Sequence, residues 1–187
     1  MGEMFRRGDE FILRTANTTD AQMISRYFCN NKHELRAWEP ERDVEFFTEV
    51  GWQKKLLKLQ EMHRLGLGYY MLITDRADKQ MLGTVSFSSV MRFPVHSCNV
   101  GYSLAKSEQG KGLMTKALTL AVQYMFEIEN MHRVCAAYMP HNKKSAAVLS
   151  RVGFEREGFS QQYILIDGQW QDHILTAMIN PDWKKRD

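Results

Sequence analysis

The chain opens with a strand-like pattern of apolar residues followed by two helical patterns. Residues 10–17 have the apolar pattern of a strand, and helical spacing begins behind Thr18 and Thr19, which are candidate N-caps. A second helical pattern covers residues 40–66, in which a break is expected near Gly51. We therefore expect one strand and two helices before the next strands begin.

β-Branched and aromatic residues dominate the middle of the chain. They fill residues 68–75 and 80–90, and the short polar connection 76–79 between these segments predicts a hairpin. A further strand is expected at residues 98–105. It leads through a glycine-containing loop into a long helix at about residues 111–128.

The remaining elements complete a mixed sheet. Residues 132–139 read as a strand, 141–154 as a short helix ended by Gly153, and 159–179 as a hairpin turned by Asp167-Gly168. Short connections make most neighbouring strands antiparallel, whereas the strands on either side of the long helix are expected to be parallel. The predicted fold is α+β, with a mostly antiparallel central sheet and helices on both faces.

Composition restricts the class of protein. The 187 residues are enough for one domain, 1–187, and 44% hydrophobic and 25% charged residues are typical of soluble globular proteins. No apolar run approaches the roughly 20 residues of a membrane span, and residues 1–11 lack the apolar segment of a secretory signal. The net charge of +3 is too small to indicate nucleic-acid binding by itself. We expect a cytoplasmic protein.

Cysteine usage supports that expectation. Cys29, Cys98 and Cys135 are odd in number and form no C-x-x-C pair, which argues against a disulfide framework and a structural zinc site. His96 with Cys98 alone is too sparse for a metal site, so no metal is expected. Cys98 and Cys135 are expected to be small buried residues and not nucleophiles.

Gly110, Lys111 and Gly112 lie where the long helix begins. A nucleoside-triphosphate loop needs Gly at position 105 and Ser or Thr at 112, but the chain has Ala105 and Gly112. A dinucleotide-binding turn needs a third Gly or Ala where the chain has Thr115. Both of these nucleotide-binding motifs are therefore excluded.

The loop can nevertheless bind an anion. A helix N-terminus carries unpaired N–H groups and partial positive charge, glycines allow close approach of the backbone, and Lys111 adds a cation. A pyrophosphate would fit there. A plain loop-to-helix cap remains the alternative.

The same loop resembles a known family. Residues 109–114, Gln-Gly-Lys-Gly-Leu-Met between a strand and a helix, are similar to the Q/R-x-x-G-x-G/A signature with which GNAT acyltransferases bind acetyl-coenzyme A, although Met114 replaces the usual Gly or Ala. The resemblance covers roughly residues 10–180. The segments LIDGQWQDH and YMPHNK further resemble bacterial ribosomal-protein alanine N-acetyltransferases.

The resemblance implies the GNAT fold and acetyl-coenzyme A as co-substrate. It also implies a set of coenzyme-binding residues, some acting through their backbone: Tyr102, Ser103, Leu104, Gln109, Gly110, Lys111, Gly112, Leu113, Met114, Thr115, Asn142 and Leu149.

Asn142, Ser145 and Leu149 share one face of the predicted short helix. From the residues alone, Asn142 can be a simple N-cap and Ser145 a surface residue. The resemblance instead implies that Asn142 binds the pantetheine arm. It also makes Ser145 the catalytic residue that donates to the departing thiolate, because many relatives have Tyr where this chain has Leu149.

The resemblance also implies direct attack of a neutral amine in a ternary complex. Backbone N–H groups of residues 101–104 would stabilise the oxyanion, and the strand at 132–138 would diverge to admit the pantetheine. An α-amino group, with a pKa of about 8, needs only a modest base. The candidates by residue type remain open: Glu39, His96, Glu108, Tyr102 and Asp172.

Trp38 and Glu39 are the candidate acceptor residues. An aromatic ring beside a carboxylate could hold a peptide N-terminus, whereas Trp38 could equally be a core residue and Glu39 a helix cap. The function implied by the resemblance is acetyl transfer to the N-terminal alanine of a ribosomal protein, with possible ribosome association. The alternatives are acetylation of a small amine, such as an amino acid, a polyamine or an aminoglycoside, and a non-catalytic coenzyme-binding protein.

Overall fold

A computed structural model describes residues 4–185, and a sheet of eight strands runs through this part of the chain. The strands are β1 (Phe5–Arg7), β2 (Ile12–Thr15), β3 (Tyr69–Thr74), β4 (Met81–Met91), β5 (Ser97–Leu104), β6 (Arg133–Tyr138), β7 (Glu155–Ile166) and β8 (Gln169–Ile179). The α-helices are α1 (Ala21–Arg36), α2 (Glu49–Arg64), α3 (Leu113–Glu127) and α4 (Lys143–Val152). The spatial order is β1-β2-β3-β4-β5-β6-β8-β7.

Helices cover both faces of this sheet, as the sequence predicted. Alternate residues of β3 serve two different cores: Met71 and Ile73 pack in the cluster that includes α3, and Leu72 packs in the cluster of α1 and α2. A strand buried on both sides must be apolar at nearly every position, which explains the continuous apolar pattern that identified it. The α+β prediction is confirmed.

The break expected near Gly51 lies three residues earlier, at Thr48, whose extended backbone separates a 3₁₀ turn (Glu45–Phe47) from α2. Helix α2 runs through Gly51 and begins just before it, where the Thr48 side chain accepts a hydrogen bond from the Gly51 N–H at 3.0 Å. A Cβ at Gly51 would lie 2.0 Å from the carbonyl oxygen of Glu45. The glycine therefore permits a close approach between the helix and the preceding 3₁₀ turn.

The turn between β7 and β8 was predicted from the sequence, whereas strand β1 was not. The turn at Asp167 and Gly168 is confirmed, because both residues have positive φ (44° and 75°), as a two-residue hairpin turn requires. Strand β1 has only three exposed residues, which carry no periodic signal.

The sheet opens between β5 and β6. These two strands are parallel and pair only from Ser97 with Arg133 to Asn99 with Cys135, although β5 continues to Leu104. The remaining part of β5 still pairs with β4 on its other side. A cleft therefore forms at the end of the strand that leads into the glycine loop. None of the helices within residues 4–185 has the length and hydropathy needed to cross a membrane.

Candidate active site

The glycine loop presents backbone N–H groups to open space. Gly110 and Gly112 have φ values of 79° and 78°, a left-handed conformation that glycine adopts without strain. Gly112 is the N-cap of α3 and supplies no side-chain hydrogen bond to the helix. A Cβ at either glycine would meet nothing within 4 Å. The N-terminal N–H groups of α3 are therefore available to an anion.

Polar side chains fix the loop to its neighbours. Gln109 donates to the carbonyl oxygen of Leu104 at 3.2 Å and accepts from Lys144 of α4 at 2.7 Å. Lys111 forms an ion pair with Glu108 at 3.1 Å. Gln109 thus connects the end of β5 to α4, and both lysines lie close to the loop.

The residues after the glycines begin α3. Leu113 and Met114 are both 5% exposed and belong to the core on the α3 face, so the Met114 side chain does not occupy the open side of the loop. Only the backbone N–H of Met114 can therefore bind an anion. The replacement of the usual Gly or Ala by Met114 is compatible with such binding, because the side chain points into the core. Thr115 is half-buried in the first turn.

Asn142 and Ser145 begin helix α4. Asn142 is the N-cap, and its side-chain oxygen accepts a hydrogen bond from the Ser145 N–H at 3.0 Å. The capping role that the sequence left open is therefore observed. It uses the amide oxygen and leaves the amide NH₂ group able to bind a ligand.

The Ser145 hydroxyl meets Tyr102 across the cleft. The two hydroxyl oxygens are 2.8 Å apart, and burial raises the pKa of Tyr102 to about 12. Leu149, one turn further along α4, is 1% exposed and packs in the core. Ser145 and Tyr102 are therefore the hydroxyl groups that the predicted site brings together here.

Neighbouring residues of β5 point to opposite faces of the sheet. Tyr102 faces α4, whereas the hydroxyl of Ser103 faces α1 and lies 3.0 Å from the hydroxyl of Tyr27. Leu104 offers its carbonyl oxygen to Gln109. The backbone of β5 is thus held from both faces beside the open cleft.

Trp38 and Glu39 follow the C-terminal end of α1. Trp38 is 40% exposed, and its ring centroid lies 5.4 Å from that of His141, which precedes α4. Trp38 is therefore not a core residue, and α2 is capped by Thr48 and not by Glu39. Both of the structural alternatives for this pair are excluded.

Glu39 lines a cavity with a volume of about 220 Å³. Burial raises the pKa of its carboxyl group, and Arg42, with its Nη2 atom 3.6 Å from Oε2 of Glu39, partly opposes this effect. The cavity has an aromatic wall and a charged rim, formed by Phe28, Lys32, Leu35, Arg36, Glu39, Pro40, Glu41, Arg42, Phe46, Phe47 and Asp167. Such a cavity can accept a short peptide segment with a charged end.

The other candidate bases lie elsewhere or are engaged. Glu108 is paired with Lys111, and Asp172 accepts from the Gln162 N–H at 2.8 Å in the β7–β8 hairpin. His96 precedes β5, at the opposite end of the strand from the glycine loop, where its ring packs against Trp183. Of the five candidates, Tyr102 borders the cleft between β5 and β6, and Glu39 lines the cavity described above.

Sequence reasoning missed several residues around these sites. Lys144 contacts the glycine loop through Gln109, and Tyr27 contacts Ser103. Lys55 of α2 lies 4.6 Å above the ring of Phe46, and burial lowers the pKa of its amine to about 8. No local signal could have identified Lys144 and Tyr27, because each contacts an element distant in sequence. Within residues 4–185, no three His, Cys, Asp or Glu side chains are grouped closely enough to hold a metal ion.

Comparisons with known proteins place this architecture in a family. Residues 10–155 match the model described as acetyltransferase (GNAT) domain. The chain is 44% identical to the [ribosomal protein uS5]-alanine N-acetyltransferase of Escherichia coli K12, over 94% of this chain and 90% of the relative.

Two solved structures agree with the family match. A crystal structure of ribosomal-protein-S5-alanine acetyltransferase from Vibrio fischeri superposes with a TM-score of 0.95 and 43% identity, covering 97% of this chain and 100% of the other. RimJ of Mycobacterium smegmatis in complex with CoA-disulfide has a TM-score of 0.86 and 28% identity, covering 98% of this chain and 88% of the other.

Proposed function

This chain belongs to the GNAT acetyltransferase family, and we propose that it transfers acetyl from acetyl-coenzyme A to the N-terminal α-amino group of a ribosomal protein that begins with alanine. The observation that carries the proposal is the cleft between β5 and β6. It has the glycine loop at its edge and the Ser145 hydroxyl in contact with Tyr102. The 44% identity to the uS5-alanine enzyme supports this choice of acceptor.

The coenzyme's pyrophosphate is proposed to bind the N–H groups of residues 109–115, with Lys111 and Lys144 close to the loop. The pantetheine arm then enters the cleft, where Asn142 can donate from its amide NH₂ group. The unpaired edge of β5 beyond Asn99 supplies backbone groups toward the thioester, and Leu149 contributes an apolar wall.

The acceptor is proposed to approach from the cavity beside Trp38 and Glu39. A carboxylate there attracts the protonated N-terminus, and the raised pKa of Glu39 brings it closer to the pKa of an α-amino group, of about 8. The neutral amine then attacks the thioester directly, and the oxyanion is stabilised by N–H groups of residues 101–104. No covalent enzyme intermediate is needed, which agrees with the buried position of Cys98.

The setting follows from the acceptor. A ribosomal protein substrate implies a cytoplasmic enzyme that meets its acceptor free or on the ribosome, and the mechanism uses neither a metal nor bound nucleic acid. We treat residues 1–187 as a single N-acetyltransferase domain, which the continuous eight-stranded sheet supports.

A thiol-release assay tests the proposal. Peptides beginning with Ala, Ser or Met are offered with acetyl-coenzyme A, beside spermidine and an aminoglycoside. We expect turnover with the Ala peptide that exceeds that with the Met peptide and with both small amines. Turnover confined to the small amines would reject the protein acceptor while leaving the family unchanged.

A further inference from the structure

We propose that Tyr102 is a positioning residue for Ser145, donating a hydrogen bond to its hydroxyl oxygen so that the serine hydrogen points to the departing thiolate. The inference rests on the proposed function and on the role that the family resemblance implies for Ser145, donation to the departing thiolate. It adds a second hydroxyl group, supplied by the sheet, to a role that the sequence assigned to one residue of α4.

The contact is held by two rigid elements. The Tyr102 and Ser145 hydroxyl oxygens are 2.8 Å apart, whereas the Ser145 carbonyl oxygen, the other acceptor within reach of the Tyr102 O–H, is more distant at 3.4 Å. On one side, Tyr102 is paired with Val85 in the centre of the sheet. On the other side, the Ser145 N–H is fixed by the Asn142 cap. The backbone at both residues is therefore anchored.

Helix α4 offers no further hydroxyl one turn along this face. Leu149 occupies that position and is packed in the core. The phenol that reaches the face comes instead from β5, 43 residues earlier in the chain. A serine hydroxyl alone rotates freely about its Cβ–Oγ bond, and a fixed donor to its oxygen removes the rotamers that point away from the sulfur.

The direction of the hydrogen bond between the two hydroxyl groups follows from the role of Ser145. A serine hydroxyl has one hydrogen, and because that hydrogen is directed to the sulfur, Tyr102 must donate in the 2.8 Å contact. When the tetrahedral intermediate collapses, the C–S bond breaks and its electron pair goes to sulfur. The Ser145 hydrogen passes to the sulfur, the hydrogen bond from Tyr102 stabilises the charge that develops on Oγ, and the proton released by the attacking amine restores the serine through solvent.

A double-mutant cycle tests this arrangement. The variants are Tyr102→Phe, Ser145→Ala and the combination, each assayed with acetyl-coenzyme A and an Ala-starting peptide. We expect Ser145→Ala to lower kcat about 100-fold and Tyr102→Phe roughly tenfold, with KM for acetyl-coenzyme A within about twofold of the parent. The double variant should be no slower than Ser145→Ala alone, because Tyr102 acts only through Ser145.

A conservative variant and a matched control complete the design. Ser145→Thr keeps a hydroxyl group, and in that background Tyr102→Phe should again lower kcat. Tyr124→Phe removes another buried phenol hydroxyl, which donates to Glu129 at 3.1 Å beyond the far end of α3. It should reduce Tm while leaving kcat unchanged, which separates general destabilisation from loss of positioning.

The outcomes separate failure of the role of Ser145 from failure of the role of Tyr102. An unchanged kcat in Ser145→Ala would reject the role of Ser145 and, with it, this inference. A slow Ser145→Ala variant beside a fully active Tyr102→Phe variant would reject the inference and keep the proposed function. Multiplying losses in the double variant would also overturn it, because Tyr102 would then act independently of Ser145.

Discussion

Replacing Gly112 with alanine separates coenzyme binding from folding. Gly112 has a φ of 78° and no atom within 4 Å of a Cβ placed on it, so the substitution creates backbone strain but no clash. A left-handed non-glycine residue costs about 1–2 kcal/mol. For a chain of this size, that loss corresponds to a fall in Tm of about 2–8 °C.

Gly168 provides a matched control. It has a φ of 75° and an equally open Cβ position, but it lies in the β7–β8 turn. Gly168→Ala should therefore lower Tm by a similar amount. Only Gly112→Ala should also weaken coenzyme binding, by tenfold or more, because its methyl group would stand where the pyrophosphate approaches the backbone.

The assay is calorimetric titration of each variant with coenzyme A, together with thermal unfolding in its absence. The titration contains no acceptor, because Asp167 of the hairpin turn lines the peptide cavity and Gly168→Ala could alter acceptor binding. Equal coenzyme affinities for the two variants at equal loss of Tm would refute the assignment of the loop as the pyrophosphate site.

Three further changes test other parts of the structure. Burial raises the pKa of Glu39, so its ionisation opposes folding only above its ordinary pKa of 4.5; in pH-dependent unfolding, Glu39→Gln should therefore raise Tm at pH near 8 but not near 4, and in the peptide assay it should lower turnover. Thiol labelling should modify exposed Cys29 long before Cys98, whose pKa burial raises to about 12, and Cys98→Ala should remain active; an inactive folded variant would contradict direct attack. Gly51→Ala places a Cβ 2.0 Å from the Glu45 carbonyl oxygen, so it should lower the free energy of unfolding, measured with denaturant, by about 3 kcal/mol. An unchanged free energy of unfolding would contradict a tight contact between Gly51 and Glu45.

The elements predicted correctly are those whose signals are local. The hairpin turn needs two residues with positive φ, and the turn sequence itself supplies two suitable residues, Asp167 and Gly168. Helices cover both faces of strand β3, so nearly all of its residues are apolar, and this continuous apolar run identifies the strand in the sequence. The glycine loop is also recognisable locally, because its two left-handed positions are occupied by Gly110 and Gly112.

The features that were missed depend on distant partners. Gly51 indicated a nearby break because its helix propensity is poor, but its steric role against a carbonyl oxygen in the preceding turn was not predicted. The contact between Tyr27 and Ser103 joins residues 76 positions apart, and no spacing rule connects them. The same is true of Tyr102 and Ser145, so that Tyr102 was predicted to bind coenzyme while its contact with Ser145 was not.

Acetyl transfer to the N-terminus of a ribosomal protein is tested first by locating the transferred acetyl group. Unacetylated uS5 protein beginning with alanine is incubated with the enzyme and acetyl-coenzyme A, and the product is sequenced by tandem mass spectrometry. We expect one acetyl group on the α-amino nitrogen of the first residue. Acetylation of lysine side chains instead, or an unmodified protein under conditions where spermidine is acetylated, would contradict this expectation.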